Sequence, residues 1–394
     1  MHSTSSGNPP GPQAVARAAD TPPMSRAWEV VVIGAGPAGT AAACELASDG
    51  LQVLLVEAKA FPRRKVCGGC LNQVSTQLVQ KFLGAEHHLW HGSLPLHGFQ
   101  LSQAGRRWCY KLPAGFAVDR QLLDDSLVRR AVELGVTFCD ATTAKLLPPD
   151  AAHRRVELSQ ATGTRVIESQ VVVLASGLGN RAAGNDSQLQ HRVARGSRVG
   201  VEAIFAAFPE QYSAGTIHMA VGDSGYVGLT QIAGARLHVA AAVDRPSLQH
   251  RGPAQLIQDI LKQAEVAALP ADSTVSWRGT PALTSRAAHL AAHRVFLVGD
   301  AAGYVEPFTG EGIRWALESG IGVAPLAARA VSAWNDHLIR EWEQWYGTHI
   351  AHRQRLCRHV SWGLKYSATR WLAAHALRLR PGLADSVIYH LNTI

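Results

Sequence analysis

WEVVVIGAGPAGTAAACELASDGLQVLLVEA, residues 28–58, joins an apolar run, a glycine turn, an alanine-rich stretch and a second apolar run. This order predicts strand, helix and strand, because such continuous runs are typical of strands covered on both faces of a parallel sheet. Gly34, Gly36 and Gly39 give the spacing G-x-G-x-x-G directly after the first strand. The first glycine permits a tight turn, the second lets backbone approach a pyrophosphate, and the third lets helix and strand pack closely. The stretch therefore predicts a Rossmann-type dinucleotide site at a helix N-terminus.

An acidic residue completes this pattern. Glu57 stands eighteen residues after Gly39, at the end of the second predicted strand. A carboxylate at this place accepts hydrogen bonds from ribose hydroxyls and repels a 2′-phosphate. The site is therefore predicted to take FAD or NAD rather than NADP.

Three further segments carry a family resemblance. VGDAAGYVEPFTGEGI, residues 298–313, resembles the second FAD motif of the para-hydroxybenzoate hydroxylase superfamily, and most of all that of its geranylgeranyl reductase-like branch. FPRRKVCGGCLN, residues 61–72, is similar to the loop that follows the ribose-binding acid in that branch. AVDRQLLDDSL, residues 117–127, resembles the helix start whose arginine contacts the FAD diphosphate. The resemblance covers roughly residues 28–330 and implies that the dinucleotide is FAD.

The resemblance also implies which residues contact the cofactor. Arg120 would bind the diphosphate, and Asp300 would accept a hydrogen bond from a ribitol or ribose hydroxyl. The helix that begins near Gly312 would point its positive end at the flavin or the diphosphate. The implied cofactor-binding set is Gly34, Gly36, Ala38, Gly39, Glu57, Lys65, Cys67, Gly68, Arg120, Ala144, Asp300, Gly310, Gly312 and Ile313, with Pro307 as a further member of the late motif.

One departure from the family pattern bears on the electron donor. Members of the superfamily usually carry an Ala-Asp-Gly-type motif after the strand predicted at 170–175, whereas this chain reads VVVLASGLGN with Ser176 in the place of the aspartate. Direct use of NADPH or NADH as a transient electron donor therefore stays open, and so does reduction by a partner protein.

Composition excludes several classes of protein. The chain has 394 residues, of which 47% are hydrophobic and 17% charged, enough to bury a large core. It has no apolar stretch long enough to span a membrane and no secretory signal pattern, and its six cysteines are irregularly spaced, so a cytoplasmic protein is expected. The net charge of +8 comes with no nucleic-acid-binding motif, which argues against a nucleic-acid partner. The basic C-terminal region leaves peripheral membrane contact open.

The pattern of runs predicts an α/β fold with a discontinuous Rossmann-type FAD-binding domain, an antiparallel-sheet substrate domain and a C-terminal helical tail. Residues 1–26 are rich in Ser, Pro, Gly and Ala and are predicted to be a disordered leader. Residues 27–197 and 286–330 are assigned to the FAD-binding domain, residues 198–285 to the substrate domain, and residues 331–394 to C-terminal helices.

Three residues are candidates for catalysis. Tyr226 lies in a Gly-Tyr strand that resembles the family's substrate-facing strand, and His218 lies on a neighbouring segment; either could donate a proton or belong to the core. Cys67 matches a family position that lines the flavin pocket. With Cys70 it also forms C-x-x-C, so redox exchange is an alternative to a packing role. No metal site is expected, since a histidine-rich stretch near residues 87–97 fits a solvated loop better.

Several functions fit these motifs. The first is an FAD-dependent reductase of carbon-carbon double bonds in an isoprenoid-like or other apolar small molecule, with flavin supplying hydride and a protein acid supplying the proton. The second is a flavin monooxygenase that hydroxylates an aromatic or polyketide-like ring, because one fold supports both reactions. The third is a flavoprotein that modifies a protein partner or receives electrons from one. A halogenase is not favoured, because the Trp-x-Trp-x-Ile-Pro signature is absent.

Overall fold

A computed structural model describes residues 27–150, 152–272, 274–306 and 310–363 of the chain. The predicted leader at 1–26 lies outside these ranges, and so does the part of the predicted helical tail beyond residue 363.

The described chain is built from short strands and a smaller number of helices. The strands are β1 (Trp28–Ile33), β2 (Val53–Val56), β3 (Cys70–Leu71), β4 (Leu94–Gln103), β5 (Arg106–Ala117), β6 (Thr137–Cys139), β7 (Thr143–Leu146), β8 (Arg154–Gln160), β9 (Gly163–Leu174), β10 (His191–Val193), β11 (Val199–Phe205), β12 (Thr216–Gly222), β13 (Gly225–Ile232), β14 (Arg236–Val243), β15 (Arg278–Ala282), β16 (Ser285–Ala287), β17 (Ala291–Ala292), β18 (Val295–Leu297) and β19 (Gly303–Tyr304). The α-helices are α1 (Pro37–Ser48), α2 (Gln73–Leu83), α3 (Arg120–Glu133), α4 (Arg245–Arg251), α5 (Pro253–Gln263), α6 (Gly312–Ser332), α7 (His337–Tyr346) and α8 (His352–Gly363).

The first sheet is the predicted nucleotide-binding sheet. Its order is β17-β18-β9-β1-β2-β6, and β1 runs parallel to both β2 and β9. All four residues of β2 are buried, because helices cover the sheet and an apolar run is stable only where both faces are covered. The late segment returns to this sheet through β18, which pairs in parallel with β9. The discontinuous α/β architecture expected from the sequence is confirmed.

Two helices pack closely against each other beside this sheet. Gly320 of α6 lies so close to α1 that a Cβ atom there would collide with the backbone oxygen of Ala38. Helix α7 then docks on the sheet through Trp342, whose indole nitrogen donates a hydrogen bond of 3.1 Å to the Leu297 oxygen of β18. In the predicted helical tail, Leu338 and Trp342 are fully buried, while Trp334 precedes α7 and packs against Phe296.

The second sheet has the order β15-β11-β14-β13-β12-β4-β5-β3 and is mostly antiparallel. Three of its strands, β3 to β5, come from residues 70–117, which the sequence assigned to the FAD-binding domain; that assignment is corrected for this segment. The pairing of β4 with β12 is parallel and joins residues more than a hundred positions apart. Helix α5 covers the outer face of this sheet with Leu256, Ile257 and Ile260.

A small third sheet, with the order β10-β16-β19, connects the first two. Within the described ranges, no helix is both long enough and apolar enough to cross a membrane.

Candidate functional site

A large cavity of about 1090 Å³ lies between the glycine turn and the inner face of the second sheet. One side is formed by the 64–72 loop and by the start of α6. The opposite side is formed by alternate residues of β4, β5 and β12 to β14. Such a concave site between two structural units is the usual place for a cofactor and a substrate.

The glycine turn has the geometry that a diphosphate needs. Gly34 has φ +111°, a conformation that favours glycine, and a Cβ atom there would collide with Ala175. A Cβ atom at Gly39 would collide with the Gly34 oxygen. At Gly36 the nearest atom to a Cβ would be 3.8 Å away, at Arg63, so the space above this residue is open. Helix α1 begins here with Pro37 and without a side-chain cap, which leaves its first turn to a ligand.

Glu57 is held against this turn from the end of β2. Its Oε2 accepts a hydrogen bond of 3.2 Å from the Ala35 backbone nitrogen. The same oxygen forms an ion pair of 3.1 Å with Nε of Arg63. Arg63 in turn contacts Asp124 at 2.8 Å. The carboxylate is thereby fixed at the place where a ribose hydroxyl of a bound dinucleotide would be.

Arg120 and Asp300 both line the cavity. The Arg120 guanidinium is bound by Asp124 at 2.9 Å and contacts the Cys67 thiol. The Coulombic attraction of Asp124 raises the pKa of this arginine above its ordinary value in spite of its burial. Asp300 accepts a hydrogen bond of 3.4 Å from Lys65. All four predicted residues in this group, Lys65, Cys67, Arg120 and Asp300, line this cavity.

The late motif forms the end wall. Gly310, Gly312 and Ile313 line the cavity, and Gly312 lies against the ring of Tyr304, which a Cβ atom would approach to 3.3 Å. Helix α6 begins at Gly312 with no side-chain cap on its first turn. Its positive end therefore faces the cavity, as the resemblance implied. Pro307 lies outside the described residues.

Several predicted contacts lie behind the cavity wall. Ala38 is buried against Gly299, and Ala144 is buried on β7 in the core of the first sheet. Gly39 and Glu57 support the turn, as described above. Gly68 lies on the cavity wall and is exposed to solvent. The structure therefore separates residues that shape the turn from those that line the cavity.

Cys67 and Cys70 both line the cavity and are not joined in a disulfide. Cys67 accepts a hydrogen bond of 3.4 Å from the Gly69 nitrogen, whereas Cys70 donates one of 3.3 Å to the Gly68 oxygen. These two atoms belong to one trans peptide and point in opposite directions, so the sulfur atoms lie on opposite sides of it. Burial raises the pKa of the Cys70 thiol to about 12, which keeps it protonated. These observations favour the wall role over redox exchange.

Tyr226 reaches the cavity from β13 and is buried. Burial raises its pKa well above the ordinary value, so its hydroxyl keeps its proton. The hydroxyl is hydrogen-bonded to Glu306, and the Arg198 guanidinium lies 5.8 Å from the centre of the ring. Tyr226 is thus a neutral acid held beside the late flavin motif.

His218 does not reach this cavity, and its candidacy as a catalytic residue is corrected. It is paired with Leu229 across β12 and β13, and residues paired across a sheet point to the same face, which here is the one covered by α5. Its ring packs on Tyr212, and its Nε2 lies 3.0 Å from the Ser213 nitrogen. Burial lowers its pKa, so it is a neutral core histidine.

A different histidine, His238 of β14, lines the cavity. Its Nε2 lies 3.3 Å from Oε1 of the buried Glu202. Sequence reasoning missed this pair. The alternation in RLHVAAAV does place His238 on the other face of the strand from its apolar neighbours Leu237 and Val239. No pattern in the sequence connects it to Glu202, which is on β11.

Ser176, in the place of the family's aspartate, also lines the cavity, and it donates a hydrogen bond of 2.7 Å to Asn180. Beside it, Gly177 lies close to the Lys65 ammonium group. Among the residues that the structure describes, no cluster of three or more acidic, histidine or cysteine side chains could hold a metal.

Comparison with known proteins identifies the family. The model of the family described as "FAD binding domain" matches residues 27–322, three quarters of the chain. The chain belongs to the FAD-binding-domain family. It is an FAD-dependent oxidoreductase, and the predicted resemblance to this flavoprotein superfamily is confirmed.

Relatives of this FAD-binding-domain protein include reductases. A menaquinone reductase of Mycobacterium tuberculosis is 28% identical over 324 residues, which cover 76% of each chain. A digeranylgeranylglycerophospholipid reductase of Methanococcoides burtonii is 24% identical over 343 residues, 82% of this chain and 81% of the relative. A flavin-dependent brominase of known structure has a TM-score of 0.77 at 18% identity and covers 93% of this chain and 94% of its own. The last likeness shows the fold alone.

The residues present fit FAD. Open space at Gly36, two uncapped helix N-termini and the Arg120 guanidinium provide for a diphosphate, while Glu57 and Asp300 provide for hydroxyl groups at its two ends.

Proposed function

We propose that this protein reduces carbon-carbon double bonds of an apolar, isoprenoid-like small molecule. The observation that carries the proposal is the combination of an apolar cavity wall with the buried phenol of Tyr226 beside the late flavin motif. The names of the two reductase relatives agree with this reaction class.

The substrate side of the cavity is dominated by hydrocarbon. Side chains on alternate positions of β4, β5 and β12 face inward, among them Phe99, Leu101, Leu112, Ile217 and Met219. A site of this kind gains affinity by removing apolar surface from water, at roughly 25 cal/mol per Å². It offers few partners for a polar ring system, so a flexible hydrocarbon chain is the ligand that fits best.

The residues around the flavin position supply binding and a proton. Bound FAD, once reduced, supplies a hydride to one carbon of a double bond. Tyr226 holds a proton at its hydroxyl, because its pKa lies well above neutral pH, and it can deliver that proton to the other carbon. The surrounding wall excludes water, which would otherwise compete for the charge that develops on that carbon.

The flavin must be reduced before each turnover, either by NADPH or NADH or by an electron-donor protein. Lys65 places a positive group at the cavity, beside Gly177, which suits a transient NADPH or NADH. Ser176 supplies no carboxylate at the family's nicotinamide position, and this favours an electron-donor protein. Anaerobic mixing of the yellow protein with NADPH or NADH decides between the two, since bleaching supports the nicotinamide and its absence supports a protein donor.

The reaction itself is tested under strictly anaerobic conditions. The enzyme is reduced with dithionite and mixed with geranylgeraniol as a polyunsaturated probe. Return of the yellow colour at a rate proportional to probe concentration supports reduction of the double bond. A flavin that stays reduced with geranylgeraniol, but oxidises when oxygen is admitted and then hydroxylates an aromatic probe, contradicts the proposal and identifies the monooxygenase.

A further inference from the structure

A row of buried polar groups leads from the cavity toward the surface. It begins at Tyr226 and continues through Glu306, which is hydrogen-bonded to the tyrosine. Arg198 follows, with its Nη1 3.0 Å from Glu306 Oε1. The row ends at Asp244, which lies 3.3 Å from Arg198 and whose side chain is 32% exposed. Tyr226 belongs to β13 of the second sheet, Arg198 directly precedes β11 and Asp244 directly follows β14, while Glu306 belongs to the late flavin motif.

Glu306 is an unusual group for this position. Its residue is only 4% exposed, and a buried carboxyl group is costly unless it is paired or protonated. The groups that face it are Arg198, Tyr226, Tyr304 and Asp244. Burial raises its pKa, assisted by Asp244, and outweighs the opposing effect of Arg198. The carboxyl group therefore holds a proton at higher pH than an ordinary glutamate, with a cation beside it that stabilises the ionised form.

We propose that Glu306 is the proton reservoir for Tyr226 and so sets the pH range in which the protein can protonate its substrate. This inference rests on the proposed function and adds a residue that acts through the tyrosine. Glu306 is in this sense a positioning and proton-supplying residue, whereas Tyr226 delivers the proton to the substrate.

The proton transfers balance in two linked steps. As the hydride reaches one carbon, the Tyr226 O–H bond breaks and a C–H bond forms on the adjacent carbon. The Glu306 carboxyl O–H bond breaks at the same time, and its proton restores the tyrosine hydroxyl. The negative charge ends on the Glu306 carboxylate, 3.0 Å from the Arg198 guanidinium. Glu306 regains a proton from solvent before the next turnover, and Arg198 stabilises its carboxylate until then.

The first test follows flavin oxidation by the probe in single-turnover experiments as a function of pH. In the native protein the rate should fall as pH rises through the pKa of Glu306, because only the protonated carboxyl group can pass on a proton. Glu306→Gln should lower the rate about a hundredfold and remove this dependence. Tyr226→Phe should do the same while leaving the ion pair of Glu306 with Arg198 intact. Glu133→Gln, at an exposed acid far from the cavity, is the matched control.

The double variant separates a shared path from two separate effects. If the two residues act in one path, the Tyr226→Phe, Glu306→Gln double variant should be no slower than Tyr226→Phe alone. Multiplication of the two losses, or a native pH profile in Glu306→Gln, would overturn the proposal. If Glu306→Gln does not retain FAD, the pH profile of Tyr226→Phe still decides, since a persisting native profile excludes the path.

A second test does not depend on the substrate. Infrared spectra of the native protein are compared with those of Tyr226→Phe and Glu133→Gln from about pH 5 to about pH 9. The expected result is the carbonyl band of a buried protonated carboxylic acid, which disappears as pH rises and shifts when the tyrosine is removed. The buried carboxyl group of Glu311 can give a similar band, so the band of Glu306 is identified by its loss in Glu306→Gln. If Glu306→Gln loses no such band at any pH, Glu306 holds no proton and the proposal fails, whatever the probe experiment shows about reduction of the double bond.

Discussion

Gly36 and Gly39 stand three residues apart in one turn and have opposite surroundings. A Cβ atom at Gly39 would collide with the Gly34 backbone, whereas at Gly36 its nearest neighbour would be the Arg63 side chain, 3.8 Å away. Gly39 is therefore constrained by the packing of the fold itself, and Gly36 by the cofactor that binds at the turn. This difference gives a direct test of the cofactor site at the scale of single residues.

Gly36→Ala should leave the folding of the cofactor-free protein unchanged and weaken FAD binding by about tenfold or more, since the added methyl group occupies the space that the diphosphate approaches. Gly39→Ala should lower the melting temperature even without FAD. Flavin titration and thermal unfolding of the apoprotein measure the two effects. Gly347→Ala, a helical glycine with no atom within contact distance, is the control. Equal loss of stability in both turn variants would contradict this assignment.

Residue patterns predicted the cofactor turn well but the catalytic side chains only partly. The glycine turn and Glu57 lie within 30 residues of each other in the sequence, so their spacing alone predicts their geometry. The choice between His218 and His238 depends on which face of a strand the second core covers. The answer depends on the register of β12 against β13 and on the docking of α5. The local sequence of the strand determines neither of them.

At the scale of elements, β5 offers adjacent positions with opposite orientations. Leu112 faces the cavity and Lys111 is exposed on the outer face. Leu112→Trp should narrow the cavity and weaken binding of geranylgeraniol about tenfold, because overfilling a packed wall costs roughly 1–3 kcal/mol. Lys111→Trp should leave binding unchanged. Fluorescence titration measures both affinities, and equal effects of the two variants would show that the hydrocarbon does not bind at this wall.

The start of α6 carries a pH-dependent element. Burial raises the pKa of Glu311 from 4.5 to about 7. Because the folded state binds this proton more tightly than the unfolded state, the free energy of unfolding should fall as pH rises from about 4.5 to about 7 and level off above. Glu311→Gln should remove this contribution, which amounts to about 3 kcal/mol. Denaturant unfolding of the native protein and of Glu311→Gln between these pH values measures this contribution. If the free energy of unfolding of the two proteins changes with pH in parallel, Glu311 is not its source.

The strand, helix and strand of residues 28–58 followed from local patterns, but the membership of the second sheet did not. Strands β4 and β5 show ordinary alternation that fits either sheet, and their partner β12 lies more than a hundred residues later. A pairing at such separation is decided by the three-dimensional packing and leaves no local signal. The segment from 70 to 117 was therefore placed in the wrong unit.

At the scale of the whole molecule, the chain passes repeatedly between the two large sheets. Residues 27–56 enter the first sheet, residues 70–117 contribute to the second, and later segments return to each in turn. Loops that follow strands of the first sheet and residues of the second sheet line the same cavity. An ion pair also joins Arg198, directly before β11, to Glu306 of the late flavin motif. The two sheets are therefore expected to unfold as one cooperative unit.

Calorimetry of the protein should show one unfolding transition for the two sheets, and FAD should raise the temperature of that whole transition. A cofactor that binds only the folded state stabilises it by about 2.7 kcal/mol at a hundredfold excess over its dissociation constant. In Gly36→Ala the shift should be smaller at the same FAD concentration. Two separate transitions, with only one of them responding to FAD, would show that the sheets fold independently.

The central claim is that reduced flavin and Tyr226 saturate a double bond in the apolar cavity. The most direct measurement is the mass of the product after one anaerobic turnover of the reduced protein with geranylgeraniol. We predict a product that gains two hydrogen atoms, formed without oxygen and about a hundredfold more slowly by Tyr226→Phe. Unchanged probe under anaerobic conditions, with a product that contains one added oxygen atom once air is admitted, would contradict it.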